Sequence, residues 1–198
     1  IILDKGYRVS LSACTDQALR LLEKKLTRPA DDVKSDVLEF FRGRFVNLLG
    51  EQYPSDAVEA AVSAGFDDLV DVAARIAALA EFKNHPDFEP LSVAFKRVGN
   101  IIKEGTDVPV DPALFQEAAE GGLYEAFQAV KSSVEAKVAA AAWPEALTLI
   151  AGLRGPVDIF FDKVMVMAED GRVRTNRLAL LTAIARMFGR IADFSRIA

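Results

Sequence analysis

A single histidine, a single cysteine and a single tryptophan stand in 198 residues, and each scarcity removes chemistry. His85 precedes a proline in a polar turn, so general-base and nucleophilic catalysis lack their usual partner, and an exposed loop residue is the expectation. One histidine and one cysteine do not make a zinc site. Cys14 has no internal disulfide partner; it fits a reducing cytoplasm and is expected to be a small buried residue. No apolar run approaches the ~20 residues of a membrane span, and no stretch reads as a secretory signal, so no membrane partner is expected. Walker loops, dinucleotide-binding glycine patterns, internal repeats and strand-like alternation are missing too. Net charge is −5, whereas a free-standing nucleic-acid binder is usually basic. DNA is therefore not an expected partner, and any nucleic-acid role must rest on a local patch.

What is there is helical and rich in core-forming residues. Hydrophobic residues make up 51%, with 13 phenylalanines, enough to build one or two domains with real cores. All eight prolines fall at joints or first turns, as in an all-α chain. The chain opens Ile1-Ile2-Leu3 rather than on methionine, as the end of a helix closed by Gly6, so a piece of a longer protein is expected. Ser10 or Ser12 caps a helix to about Leu26, with Ala18, Leu19, Leu22 and Leu26 on one face. Asp31 or Asp32 caps the next, to about Leu49, with Val33, Val37, Phe40, Phe41, Phe45 and Leu48 inward. Ser55 caps a short helix to Ala64, and Asp67 or Asp68 another to about Phe82. Pro90 to Lys103 follows, with Leu91, Phe95, Val98 and Ile102 inward and Lys96, Arg97, Asn100 and Lys103 outward. Gly105 to Val110, Gly-rich and aperiodic, is the best internal boundary. Asp111-Pro112 opens a helix to about Ala142, with a possible break at Gly121-Gly122. Trp143-Pro144 starts one to Leu153.

The C-terminal stretch reads as two helices, Val157 to Met167 and Val173 to Ala192, joined at Glu169-Asp170-Gly171. The first carries Phe160, Phe161, Val164, Met165 and Met167. On the second, Leu178, Leu181, Ala185, Phe188 and Ala192 fall within about 40° of Arg174, a stripe that must be buried. Charge reverses here. Arg154 to Ala198 holds eight Lys/Arg against five Asp/Glu, net +3; the rest holds 16 against 24, net −8. Arg172, Arg174 and Arg177 crowd one turn.

Asp158 and Asp162 lie four apart on one helix face, as an acid/base couple or a divalent-metal site would. The simpler reading is structural: Asp158 favours the first turn of its helix, and both carboxylates face Arg174 or Arg177 across the turn. No catalytic or metal-binding residue is assigned. Arg177 is read as structural and Arg172 as the phosphate or base contact. Arg186 and Arg190 lie about 120° to 160° from Arg174, as a ridge tracking a phosphate backbone or as an ordinary solvated face. Asn176 is either a reader of a base edge or a helix-surface amide.

Several pieces in order carry a family resemblance. They are Val110-Asp111-Pro112-Ala113-Leu114-Phe115, Phe160-Phe161-Asp162-Lys163-Val164-Met165-Val166-Met167, Arg174-Thr175-Asn176-Arg177-Leu178-Ala179-Leu180-Leu181 and Ala192-Asp193-Phe194-Ser195. Phe95-Lys96-Arg97-Val98-Gly99-Asn100-Ile101-Ile102-Lys103, Leu38 to Phe45 and Ala80 to Phe82 add to them. Together they resemble the C-terminal end of the bacterial glycyl-tRNA synthetase beta subunit, whose last domain is similar to the DALR class of helical anticodon-binding domains. The tetrad that names the class would fall near Thr182-Ala183-Ile184-Ala185, where this chain differs, which argues against base-specific roles there.

The resemblance implies an all-α helical bundle with a connecting segment over 1–92 and a DALR-like domain over 93–198. It implies glycine tRNA and a synthetase alpha subunit as partners, in an α2β2-type assembly. It implies ATP and Mg²⁺ as cofactors of the whole enzyme, with none in this piece, which is itself non-catalytic. The implied tRNA contacts are Arg172, Arg174, Asn176, Arg186 and Arg190, with Lys96, Arg97, Asn100 and Lys103 as a second cluster. Asp158, Asp162 and Arg177 form the expected structural ion-pair group. The rival reading is a helical docking module without RNA contact, which suits the net −5 of Ile1 to Ala94. A stand-alone hydrolase or metal enzyme is a distant third.

Overall fold

The computed structural model describes residues 1–102 and 105–197. Their regular structure is helical throughout. In chain order the α-helices are α1 (Ile2–Lys5), α2 (Leu11–Leu22), α3 (Ala30–Gly50), α4 (Ser55–Ser63), α5 (Leu69–Phe82), α6 (Phe88–Ile101), α7 (Ala118–Ala139), α8 (Trp143–Ala151), α9 (Arg154–Lys163) and α10 (Gly171–Gly189). Single 3₁₀ turns occupy Glu23–Lys25, Pro112–Leu114 and Phe194–Arg196. The all-α bundle is as expected. No helix among the described residues is long and apolar enough to cross a membrane.

Several starts follow capping chemistry. Ser10 accepts from the Ala13 N–H at the start of α2, and Asp68 accepts from Val70 and Asp71 at the start of α5. Asp170 accepts from Arg172 and Val173 at the start of α10. Asp111 does cap, but it caps the Pro112–Leu114 turn; the long helix begins later, at Ala118. There Glu120 reaches back to accept from the Gln116 and Glu117 N–H groups. Gly121 and Gly122 leave α7 unbroken.

Packing overrides the periodicity in four places. Phe40, Phe41 and Leu48 are 61%, 40% and 49% exposed, because α3 lies at the edge of the bundle and meets its neighbours along Phe45 and Leu49. In α2 the buried residues are Leu11 and Thr15, while Ala18 and Leu22 are exposed and Leu19 is half-buried. Cys14, expected inside, lies on the exposed side of the same helix. After Lys163 the chain leaves the helix, extended at Val164 and bent at Val166 and Met167: Val164 and Val166 are buried, Met165 and Met167 are 77% and 62% exposed. That alternation has the period of a strand, so the two methionines belong to the surface.

Two cores share two helices. The smaller gathers Leu11, Phe45, Leu49, Val58, Leu69, Val72 and Ile76. The larger runs from α4 to the C-terminal turn. α4 gives Val58, Ala61 and Val62 to the first and Ala57 and Ala60 to the second, and α5 likewise divides into an N-terminal and a C-terminal half. Arg75 staples the junction. It is 4% exposed, donates to the carbonyls of Ala61 (2.7 Å), Gly65 (2.7 Å) and Ile191 (3.1 Å), and pairs with Asp71 at 3.0 Å. The Asp193 N–H adds a bond to the Ala60 carbonyl at 2.9 Å. Phe95 and Phe188, with ring centroids 3.6 Å apart, and Phe194 join α6 to the end of α10. α10 is therefore held on several sides, and what it shows to solvent is narrow.

Candidate nucleic-acid interface

The arginines of α10 are separated by what the rest of the bundle offers them. Arg177 is 5% exposed and wholly engaged. Its Nε and Nη2 donate to the two carboxylate oxygens of Glu120 at 2.9 and 3.1 Å, and its Nη1 to the Met165 carbonyl at 2.9 Å. These are not the partners expected of it. Because α9 stops at Lys163, the segment after it brings a carbonyl to Arg177 and α7 brings the carboxylate. Asp158 is left to Arg154, 3.6 Å away on the same helix, and Asp162 is exposed without an ion pair within 4.0 Å among the described residues. Burial pushes the Glu120 carboxyl up, but the Arg177 hydrogen bonds and the two backbone N–H groups outweigh it, and its pKa falls below the usual glutamate value.

Arg174 is half-buried and donates to the Ala168 carbonyl at 3.2 Å. Arg172 is exposed, and its guanidinium makes no hydrogen bond or ion pair among the described residues; Asp170 lies near enough to feel its charge. The two N–H bonds from Arg172 and Val173, more than that charge, hold the Asp170 carboxyl low. Asn176 is not a surface amide. It is 3% exposed, accepts from the Asp111 N–H at 2.7 Å and donates to the Asp111 carbonyl at 2.9 Å. With one donor and one acceptor spent on Asp111 and only 3% of the residue exposed, the amide offers little to a base.

Those two bonds fix the segment from Gly105 to Leu114 along α10. Gly105 turns at φ 62°, in the left-handed region, where a Cβ would lie 3.3 Å from the Thr182 methyl. Asp107 pairs with Arg186 at 2.6 Å across the surface. Between segment and helix opens a cleft of about 430 Å³, lined by Val108, Pro109, Asp111, Leu114, Gly171, Arg172, Thr175 and Asn176. A second hollow, about 270 Å³, lies between α7 and α10, with Arg186 and Arg190 on one wall and Phe127, Lys131 and Glu135 on the other. Arg190 is exposed and has no hydrogen bond or ion pair among the described residues. Lys131 was invisible as a site residue, because its helix had no outward face assigned; its place four residues after buried Phe127, over whose ring it lies at 5.9 Å, is the signal that could have found it.

The α6 cluster is only partly available. Arg97 stacks over Phe161 of α9, 4.4 Å from the ring centroid. Lys96 is half-buried and Asn100 exposed. Neither cleft along α10 is lined by these residues, and Lys103 lies outside the described residues. His85 is a turn residue: Nδ1 accepts from the Asp87 N–H at 3.2 Å and the ring stacks on Phe82. Among the described residues no three His, Cys, Asp or Glu side chains come together as metal ligands.

Residues 91–194 match the family described as the DALR anticodon binding domain, and the matched region begins inside α6. A glycine–tRNA ligase beta subunit of Geobacter metallireducens is 73% identical over the whole chain, which covers 29% of that protein. Proteins of the same name from Trichlorobacter lovleyi and Citrifermentans bemidjiense are 64% and 61% identical, again over the whole chain and 29% of their own length. The chain thus spans less than a third of the curated relatives it matches.

Proposed function

We propose that this chain, which belongs to the family of DALR anticodon binding domains, is the tRNA-gripping region of a glycine–tRNA ligase beta subunit. In this reading it holds the anticodon end of glycine tRNA and performs no chemistry. ATP- and Mg²⁺-dependent glycylation falls to the alpha subunit, in an α2β2-type assembly in the cytoplasm. Residues 93–198 serve as the RNA-binding domain and 1–92 as the connecting segment.

The observation that carries the reading is the sorting of the α10 arginines. Arg177 and Asn176 are spent on the fold, while Arg172 and Arg190 stand exposed beside the two clefts with no hydrogen-bond or ion-pair partner for their guanidinium groups among the described residues. Free guanidinium groups next to hollows lined in part by apolar side chains suit phosphates and unstacked bases, the features that an anticodon loop offers together. Arg174, Arg186 and Lys131 extend that surface, and Lys96, Arg97 and Asn100 make a separate, weaker one. With so few committed cations, the expected salt dependence is modest.

The test is binding of the chain to glycine tRNA and to the same tRNA with an exchanged anticodon, at one salt concentration. Preference for the native anticodon supports a specific reader. Equal binding reduces the surface to a backbone clamp, and no binding to either removes the reading.

A second reading applies to the N-terminal part. The exposed Phe40, Phe41 and Leu48 of α3, on a segment of net −5, favour docking on another protein surface over RNA contact. Phe40→Ser with Phe41→Ser is expected to weaken association with the alpha subunit while leaving tRNA binding unchanged. Undiminished association in a pull-down removes this second role.

A further inference from the structure

We propose that the cleft between the Gly105–Leu114 segment and the first turns of α10 is a pocket for one unstacked base of the bound RNA, with Arg172 on the adjoining phosphate. This rests on the tRNA-binding reading above and deepens it. Three features of the cleft point the same way. Its wall on the segment side sets aliphatic Val108, Pro109 and Leu114 beside Asp111, and Val108 is 51% exposed. Its rim carries Arg172, the one α10 arginine lining it without a hydrogen bond or ion pair among the described residues. Its shape is preset: the reciprocal Asn176–Asp111 bonds fix the segment at one end and the Gly105–Thr182 approach at the other.

The size restricts the occupant. About 430 Å³ sits low in the ~300–1,000 Å³ range of small-ligand sites, room for one nucleotide and too little for a duplex. The polar chemistry restricts it further. The first N–H groups of α10 are already taken by Asp170, so the cleft is not an anion site of the helix terminus. The Thr175 hydroxyl donates to the Gly171 carbonyl at 2.8 Å and keeps only acceptor capacity. What remains is a slot with aliphatic Val108, Pro109 and Leu114, the Asp111 carboxylate, which already accepts from the Ala113 N–H, and the Arg172 cation at its lip. A flat, weakly solvated ring joined to an anion fits that description, and a base flipped out of a tRNA loop is such a group. Preorganisation means that the entropy of forming the slot is not charged against binding.

The experiment is an abasic scan. The parent chain and the variant Val108→Ser with Leu114→Ser, which removes the aliphatic wall without changing charge, are titrated with the anticodon arm of glycine tRNA. Each loop nucleotide is replaced in turn by an abasic residue. At one position the parent is expected to lose about tenfold in affinity, the equivalent of one buried apolar contact. In the variant the intact arm already binds about tenfold more weakly, and the same abasic substitution costs nothing more, the non-additivity expected of two halves of one contact. Far-ultraviolet circular dichroism checks the fold. Val108→Ser alone, at an exposed position, repeats the cycle should the double variant unfold. If the parent binds the arm and every abasic penalty is unchanged in the variant, the base lies elsewhere and the pocket is overturned, while the RNA-binding reading survives. If the parent binds neither the arm nor whole glycine tRNA, both fall together.

Discussion

Arg177 of α10 and Glu120 of α7 form a two-pronged ion pair, 2.9 and 3.1 Å, between side chains that are 5% and 1% exposed. Glu120 does two further things at once: it caps the start of α7 by accepting from Gln116 and Glu117, and through Arg177 it holds the segment after α9 by the Met165 carbonyl. One carboxylate thus ties three pieces of chain around the base of the candidate RNA surface.

Removing the cation is expected to be costly. Arg177→Met leaves the Glu120 charge buried with only backbone donors, a situation that costs about 3–5 kcal/mol. Urea denaturation followed by circular dichroism reads this directly. A loss under about 1 kcal/mol, the scale of an exposed pair, contradicts the buried role.

The same carboxylate gives a pH signature. Its folded-state pKa lies below the unfolded one, so its contribution is complete above the ordinary glutamate range and fades as pH falls through that range to the lowered value. Stability is expected to fall below about pH 4.5 more steeply in the parent than in Glu120→Gln. Parallel acid limbs for the two proteins contradict the assignment.

Phenylalanines divide sharply by position. Phe161→Ala, at a residue 9% exposed beneath Arg97, is expected to destabilise by ~3–5 kcal/mol. Phe40→Ala, at 61% exposure, is expected to change stability by no more than ~0.5 kcal/mol. Thermal melts of both variants in one buffer test the pair. A Phe161→Ala midpoint equal to the parent's removes the burial argument.

Arg172→Glu with Arg190→Glu is expected to weaken binding of glycine tRNA and flatten its salt dependence, with helicity intact. Filter retention at two salt concentrations is enough, and unchanged binding removes this surface from the RNA.

Asn176→Ala is expected to act on the fold rather than on base choice. It strips both bonds from Asp111 and lowers stability by roughly 1–3 kcal/mol. The ratio of affinities for native and exchanged anticodons stays where it was. A changed ratio returns Asn176 to base reading.

The sequence by itself determined the helical class, most helix starts and the concentration of arginine on the last long helix. These follow from local chemistry: caps such as Ser10 and Asp68 act on N–H groups two or three residues away, and apolar spacing reports one face at a time. The resemblance, carried by short ordered motifs, reached the family found over residues 91–194. Only the tertiary structure decided which polar residues were free. Asp158 and Asp162 stand close to Arg174 and Arg177 in the chain, yet Arg177 pairs with a glutamate 57 positions away, because the chain straightens after Lys163 and α7 arrives instead. Asn176 was lost to Asp111, 65 positions away, for the same reason. Met165 and Met167 moved to the surface when the last turn of the expected helix, after Lys163, gave way to non-helical chain. Long-range partners are set by how helices are assembled, and periodicity along one helix carries no information about what another helix will bring to it.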